Sequence, residues 1–230
     1  MNAAGNHLMD LLSRRDKSRL LARCETVQLR VNDVIAEPGQ VLSHVYFPVE
    51  GFISLVAVAA EGPALEVGMV GREGMLGLNW VLGVAHSPVR ALVQGPGASW
   101  RLSSAAFCQA LAASAALRAV LLRYAQVRLA QGATSVVCQR FHAIGRRLAR
   151  WLLMTEDRAG EATFPVTQVF LASRLGLRRV GVTAAAGSLQ KQGLIAYRRG
   201  ILQVLDRPAL LAASCSCYAT DLRSYATVMV

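Results

Sequence analysis

The side chains best suited to binding chemistry lie in a basic segment near the C-terminal end of the chain. Residues 166–207 hold seven Lys or Arg residues and one acid, Asp206. A forked guanidinium can donate paired hydrogen bonds to phosphate or to the acceptor edge of guanine. Because a merely solvated surface usually mixes both signs of charge, this composition favours DNA as the partner over a helical pair buried in an ordinary core. The candidate contacts are Thr167, Gln168, Arg178, Arg179, Val180, Thr183, Lys191, Arg198 and Arg199.

A short helix is predicted at the start of this segment. Thr167 is a good N-cap, because its hydroxyl can accept a hydrogen bond from an amide of the first turn. Gly176 suits the left-handed turn that ends a helix, since it has no Cβ. Ala172 is small enough to let a second helix cross close by.

The second helix is expected over about residues 178–192, with Gly193 as its stop. Two short strands then follow at Leu194–Tyr197 and Ile201–Leu205. A helix of this kind fits the major groove while another braces it, and Arg179 is the first choice for reading a base. Arg178, Thr183 and Gln168 are candidate base or phosphate contacts. Lys191, Arg198 and Arg199 are expected at phosphates.

The segment resembles the winged helix-turn-helix of the cyclic-AMP receptor / fumarate-nitrate regulator (Crp/Fnr) family of bacterial transcription factors. The order of that family fits nearly the whole chain. The resemblance implies an α+β fold with a cyclic-nucleotide-binding-like β jelly roll in residues 1–103, a dimerisation helix in 104–138 and a winged helix-turn-helix domain in 139–230. The residues that carry it are Leu171-Ala172, Leu175-Gly176, Arg179, Val182, Leu189 and Gly193-Leu194-Ile195.

Composition agrees with a DNA partner. The 230 residues are 53% hydrophobic and carry a formal charge of +11. The excess is concentrated in the part from Cys138 onward, with 13 basic and 5 acidic residues. The N-terminus reads as a short amphipathic helix rather than a signal peptide, and no apolar run is long enough to span a membrane. We therefore expect a cytoplasmic protein without a membrane partner.

The first half of the chain contains many short predicted strands separated by Pro and Gly breakers, including Glu61-Gly62-Pro63. This spacing is typical of an antiparallel sandwich or barrel, and the resemblance makes it a jelly roll. The strands are expected at Thr26–Val31, Val34–Ala36, Val45–Phe47, Phe52–Ala59, Ala64–Met69, Val89–Val93 and Ala98–Leu102.

The resemblance also locates a candidate effector pocket, made of Arg72, Glu73, Arg90 and Gln131. Relatives that bind cyclic AMP have a Gly-Glu step, an Arg-Ser or Arg-Thr pair, and a Thr-Ser pair. Here Glu73 is displaced by one position, and Ser87-Pro88 and Gln131-Gly132 replace the two pairs. Arg90 either approaches a phosphate in another register or pairs with an acid such as Glu66 or Glu73. We expect a small-molecule effector other than cyclic AMP, or a pocket filled by its own side chains.

Residues 104–136 are predicted to be helical, with a stripe in heptad-like spacing. Packing against the jelly roll alone is the other interpretation, but the resemblance favours a parallel homodimer. Residues 138–142 are the candidate hinge. The stripe consists of Leu111, Ala115, Leu122, Ala125, Leu129, Gly132 and Val136.

After the hinge we predict a helix over residues 145–154, a polar loop over 156–163 and, beyond the wing, a C-terminal helix over 208–225. The four histidines share no metal-ligand spacing. Cys215 and Cys217 could hold a metal or a disulfide, but the favoured interpretation is two cysteines near a loosely ordered tail.

No catalytic pattern is found, and neither a cofactor nor a metal is expected. The resemblance implies DNA, a second copy of the chain and RNA polymerase as partners. The alternative function is a ligand-binding signalling module with vestigial DNA binding.

Overall fold

The computed structural model describes residues 5–59 and 64–230. Two short helices precede a series of strands, as predicted, and the turn at Glu61-Gly62-Pro63 lies outside the described residues. The elements of this first part are α1 (His7–Asp10), α2 (Arg14–Leu21), β1 (Glu25–Leu29), β2 (Val34–Ala36), β3 (His44–Pro48), β4 (Phe52–Ala57), β5 (Leu65–Val70), a 3-10 turn (Leu78–Trp80), β6 (Arg90–Gly95) and β7 (Gly97–Ser103).

The strands form two antiparallel sheets, which confirms the predicted jelly roll. One sheet has the order β1-β7-β3, and the other has the order β2-β6-β4-β5. Apolar side chains that alternate along the strands fill the interior, among them Val45, Phe47, Ile53 and Val93, which are all fully buried. Burial on one face of each strand therefore fixes the register of the sandwich.

The helical region after the sandwich is broken, although one continuous helix was predicted. Helix α3 (Ser104–Ala113) meets α4 (Ala115–Phe141) at a bend of 111°. Ser114 causes the break, because its backbone is extended and its hydroxyl caps α4 by accepting from Leu117 N–H. Among the described residues no single helix is long and apolar enough to cross a membrane. The α3–α4 pair meets the length and composition only across its bend.

The second part begins with α5 (Ile144–Ala159) and continues through β8 (Thr163–Pro165), α6 (Gln168–Leu175), α7 (Arg179–Lys191), β9 (Ile195–Arg198) and β10 (Ile201–Val204). The predicted polar loop over 156–163 is wrong at both ends. Residues 156–159 continue α5, and Thr163 starts a strand that pairs with β10. The wing is therefore a three-stranded sheet in the order β8-β10-β9.

The C-terminal segment forms two helices rather than one, α8 (Arg207–Ala213) and α9 (Cys217–Val228). Helix α9 packs along α4 and against α5. Its end reaches the core of the first part, where the hydroxyl of Tyr225 donates a 2.7 Å hydrogen bond to the carbonyl of Glu73. The chain thus returns to the sandwich after completing the wing.

Candidate nucleic-acid interface

The helix pair α6–α7 has the local structure that its sequence predicts. Thr167 accepts a 3.1 Å hydrogen bond from Phe170 N–H at the start of α6. Gly176 ends α6 with a φ of 62°, a left-handed conformation that glycine adopts without strain. On α7, Val182 and Leu189 are buried in a common core with α5. The opposite face of α7 is thereby held outward.

This outward face of α7 carries the predicted contact residues at its N-terminal end. Arg178, Arg179, Val180 and Thr183 are all exposed, and Val180 is 79% exposed. Arg178 is the N-cap residue, and its side chain makes no capping hydrogen bond. The unpaired amides of a first helical turn and the helix dipole favour an anion at this end. The face therefore combines side chains of base-reading length with a phosphate-attracting backbone.

The wing presents a second basic element. Strands β9 and β10 are joined by Arg199 and Gly200, both with positive φ, of 52° and 79°. Two such residues form the type I′ turn, whose twist matches that of paired strands. Arg198 and Arg199 are exposed at this tip. The hydroxyl of Tyr197 donates a 2.8 Å hydrogen bond to the carbonyl of Val166, which fixes the wing beside the start of α6.

These elements meet around a shallow concavity of about 360 Å³, with Thr167, Gln168, Arg179 and Arg199 in its lining. Thr183 joins the group, because its hydroxyl donates a 2.8 Å hydrogen bond to the side-chain oxygen of Gln168. Lys191 lies at the other end of α7. With a rise of about 1.5 Å per residue, Lys191 is about 18 Å along the helix from Arg179. The structure thus brings together all the predicted contacts except Lys191 along one surface.

The candidate effector residues do not form one open pocket. Glu73 lies in the loop after β5, and Arg158 of α5 approaches its carboxylate to 2.8 Å. Gln131 accepts a 2.8 Å hydrogen bond from Arg128. Arg72, Glu73 and Gln131 line a cavity of about 450 Å³ that Arg158 and residues of α9 complete.

Arg90 belongs elsewhere in the structure. It makes an ion pair of 2.9 Å with Glu37, so the predicted pairing with Glu66 or Glu73 is wrong. Glu66 instead accepts a 2.8 Å hydrogen bond from the indole of Trp151 on α5. Burial raises the pKa of Glu66, and hydrogen bonds from Ser54 and Trp151 oppose that shift. Glu66 and Glu73 both connect the sandwich to α5.

The predicted stripe on the helical region is only partly outward. Leu111 and Ala125 are buried in the chain's own structure, since they lie on turns that face the sandwich core. Leu122, Leu129 and Val136 are exposed, the last two by 71%. With Ala115, which is also exposed, these residues recur every seven positions on α4. Gly132 beside them has open space where a Cβ would lie.

The cysteines differ most from the prediction. Cys215 and Cys217 are 2% and 4% exposed, not part of a loose tail. They meet Cys138 and His142, from the last turns of α4, and one ligand atom from each of the four residues lies within 4.8 Å of the others. A hydrogen bond with Cys138 lowers the pKa of Cys215. The spacing of Cys138 and His142, four apart on a helix, was the available sequence signal.

Residues 146–213 match the Crp-like helix-turn-helix domain family. That stretch covers α6, α7 and the wing, and it ends before Cys215. Among curated protein sequences, none matches this chain. The chain therefore carries a Crp-like helix-turn-helix domain of the winged type.

Solved structures of transcriptional regulators share the fold. FixK2 from Bradyrhizobium japonicum is 15% identical, with a TM-score of 0.70 over 84% of this chain and 98% of that one. A CRP family regulator from Thermus thermophilus is 17% identical, with a TM-score of 0.68 over 82% and 96%. The c-di-GMP responsive regulator CLP from Xanthomonas campestris is 16% identical, with a TM-score of 0.67 over 84% and 100%.

Proposed function

From a chain that has a Crp-like helix-turn-helix domain on the fold of Crp/Fnr regulators, we propose a homodimer that binds a specific operator and regulates transcription. The N-terminal helix and sandwich region (residues 1–103) senses a signal, residues 104–138 supply the dimer seam, and residues 139–230 read DNA. RNA polymerase is the protein partner that such a regulator acts upon.

The exposed first turn of α7 beside the basic wing tip is the observation that carries the DNA-binding role. Arg179 is the base reader, because a guanidinium can reach both acceptors on the major-groove edge of guanine. Arg178, Thr183 and Gln168 are further base or phosphate contacts, with Thr167 and Val180 at the edge of the surface. Arg198, Arg199 and the more distant Lys191 bind phosphates, which add affinity without sequence preference.

The exposed side of α4 is the proposed dimer seam. Ala115, Leu122, Leu129 and Val136 form a heptad stripe that two parallel helices can pack together. Gly132 permits close approach of the partner helix. Leu111 and Ala125 are not part of this seam, because they are buried within the chain. A two-fold axis along α4 presents two copies of α7 to two half-sites.

The ion pair of Glu73 supports an effector other than cyclic AMP. Arg158 and the N–H of Gly71 already engage the carboxylate that would have to accept the ribose hydroxyl. Since a structural relative is described as c-di-GMP responsive, cyclic dinucleotides belong among the effectors to be tested here.

A gel-shift series on genomic fragments tests this function. The full-length protein is expected to retard a subset of fragments at nanomolar concentration in the presence of excess competitor DNA. Retardation of every fragment with equal affinity would leave only nonspecific binding and would favour the signalling module with vestigial DNA binding.

A further inference from the structure

Four side chains that the DNA-binding role does not use meet at the end of α4. Cys138 and His142 come from its last turns, and Cys215 and Cys217 come from the α8–α9 connection. The three sulfur atoms belong to residues that are at most 4% exposed. The sulfurs of Cys138 and Cys215 are 3.6 Å apart, and the sulfur of Cys217 lies 3.5 Å from Nδ1 of His142.

These separations match the edges of a tetrahedral metal site. With Zn–S bonds of about 2.3 Å and Zn–N bonds of about 2.0 Å, the edges of a tetrahedron measure about 3.5–3.8 Å. Three thiolates and one imidazole are also the ligand types that zinc prefers in closed structural sites. The sulfurs of Cys138 and Cys215 are too far apart for a disulfide, whose S–S bond is about 2.05 Å.

The surroundings suit the charge of such a centre. Three thiolates and a divalent cation leave one negative charge in a buried place. The guanidinium of Arg150 lies close enough to act electrostatically on all three cysteines. Asp221 of α9 holds Arg150 there through an ion pair of 2.5 Å. A buried charge is tolerated when an opposite charge is fixed beside it.

We propose that Cys138, His142, Cys215 and Cys217 bind one Zn²⁺ ion that fastens α9 to the end of α4. Cys215 and Cys217 lie beyond the matched helix-turn-helix domain, which ends at residue 213. The two halves of the site are 73 or more residues apart in the chain and flank α5, the helix that follows the hinge. The ion thereby fixes the C-terminal extension across the joint between the sandwich and the DNA-binding region.

Cobalt titration of the full-length protein tests the ligand set. The protein is stripped with a chelator, kept reduced and titrated with Co²⁺ without oxygen. We expect thiolate-to-cobalt charge-transfer bands and tetrahedral d–d bands that saturate at one equivalent and disappear when Zn²⁺ is added. Failure of the reduced wild-type protein to develop these bands would overturn the proposal.

Variants separate this site from the other thiols. C217S is expected to lose or weaken the charge-transfer bands, whereas C108S, on α3 and outside the cluster, should keep them. H142C should bind cobalt with stronger charge transfer per ion, since four thiolates then coordinate it. An unchanged spectrum for C217S would show that the cluster is not the site. A Cys138–Cys215 disulfide in the protein as isolated, without bound metal, would also contradict the proposal.

Hydrogen exchange tests the fastening role independently of the spectrum. Removal of the metal is expected to increase amide exchange in α9 and at the end of α4, and addition of Zn²⁺ should reverse the increase. The sandwich strands β4 and β6 provide the internal control. Metal binding without any change of exchange in α9 would contradict the proposed fastening.

Discussion

The guanidinium of Arg158 lies 2.8 Å from the carboxylate of Glu73, and both side chains are at least four-fifths buried. Arg158 belongs to α5, and Glu73 belongs to the loop after β5. The contact therefore joins the first helix after the hinge to the sandwich. It also occupies the carboxylate nearest to the expected place of a bound nucleotide.

Breaking this pair in E73Q is expected to lower the free energy of unfolding by about 3 kcal/mol, because the Arg158 charge is left buried without a counter-charge. Urea unfolding at neutral pH measures the change. E25Q is the matched control, since Glu25 pairs with Arg101 at the surface. Its cost should be below about 1 kcal/mol. Equal costs for both variants would show that the buried pair has no special contribution.

The E73Q penalty should also depend on pH. Burial alone would raise the pKa of Glu73, but Arg158 and backbone hydrogen bonds hold it below its ordinary value. A lowered carboxyl pKa stabilises the fold above the unfolded pKa of about 4.3, and the stabilisation is lost as pH falls through the folded value. The difference between wild type and E73Q should therefore shrink below about pH 4. A constant difference would contradict this assignment.

Arg179→Ala should relax base preference at one position of each half-site and cost about 1–3 kcal/mol there, because a forked base contact is lost. Arg199→Asn should weaken all sequences alike and reduce the salt slope by about one unit per half-site. Asparagine tolerates the positive φ of this turn, so the wing is kept. Competition binding against operators with single base changes measures both effects.

Arg14→Ala is the control for these two variants, since Arg14 is exposed on α2, in the sandwich region. It should leave base preference and salt slope unchanged. An equal loss of affinity for every sequence in Arg179→Ala would make Arg179 a phosphate contact instead.

Leu122→Glu with Leu129→Glu should give monomers in sedimentation, because like charges would then face each other across the seam. Leu82→Glu with Val84→Glu is the matched control, since these exposed apolar residues lie in the loop after the 3-10 turn and outside the stripe. The control should remain dimeric. A dimer in the α4 variant would show that another surface holds the two copies together.

Cyclic AMP is expected to bind without useful affinity. Its phosphate would lose water without gaining a forked cation, since Arg90 pairs with Glu37 and Ser87-Pro88 stands at the expected phosphate position. Calorimetry with cyclic AMP, cyclic GMP and c-di-GMP measures this directly. Micromolar binding of cyclic AMP together with a shift in DNA affinity would contradict the expectation.

The sequence predicted the elements with strong local signals. Thr167, Gly176 and Gly193 marked helix ends that the structure contains, and alternating apolar residues located the strands of the sandwich. Strand β8 was missed, because its three residues pair with β10, 38 residues away in the chain, and have little pattern of their own. Local propensity does not report such tertiary pairing.

The helical stripe and the cysteines show the same limit. A 3,4 spacing identifies one face of a helix, but it does not reveal a bend. Ser114 rotates α3 away from α4 and places Leu111 in the core. Cys138 and Cys215 are 77 residues apart, so only the packing of α9 on α4 brings them together.

Selection of binding sites from random DNA tests the central claim most directly. The account predicts an inverted repeat with half-sites about one helical turn apart, 10–10.5 base pairs. Arg179→Ala should alter the enriched base at one symmetric pair of positions. Enrichment of no sequence by the wild-type dimer, under conditions where it remains folded, would contradict the account.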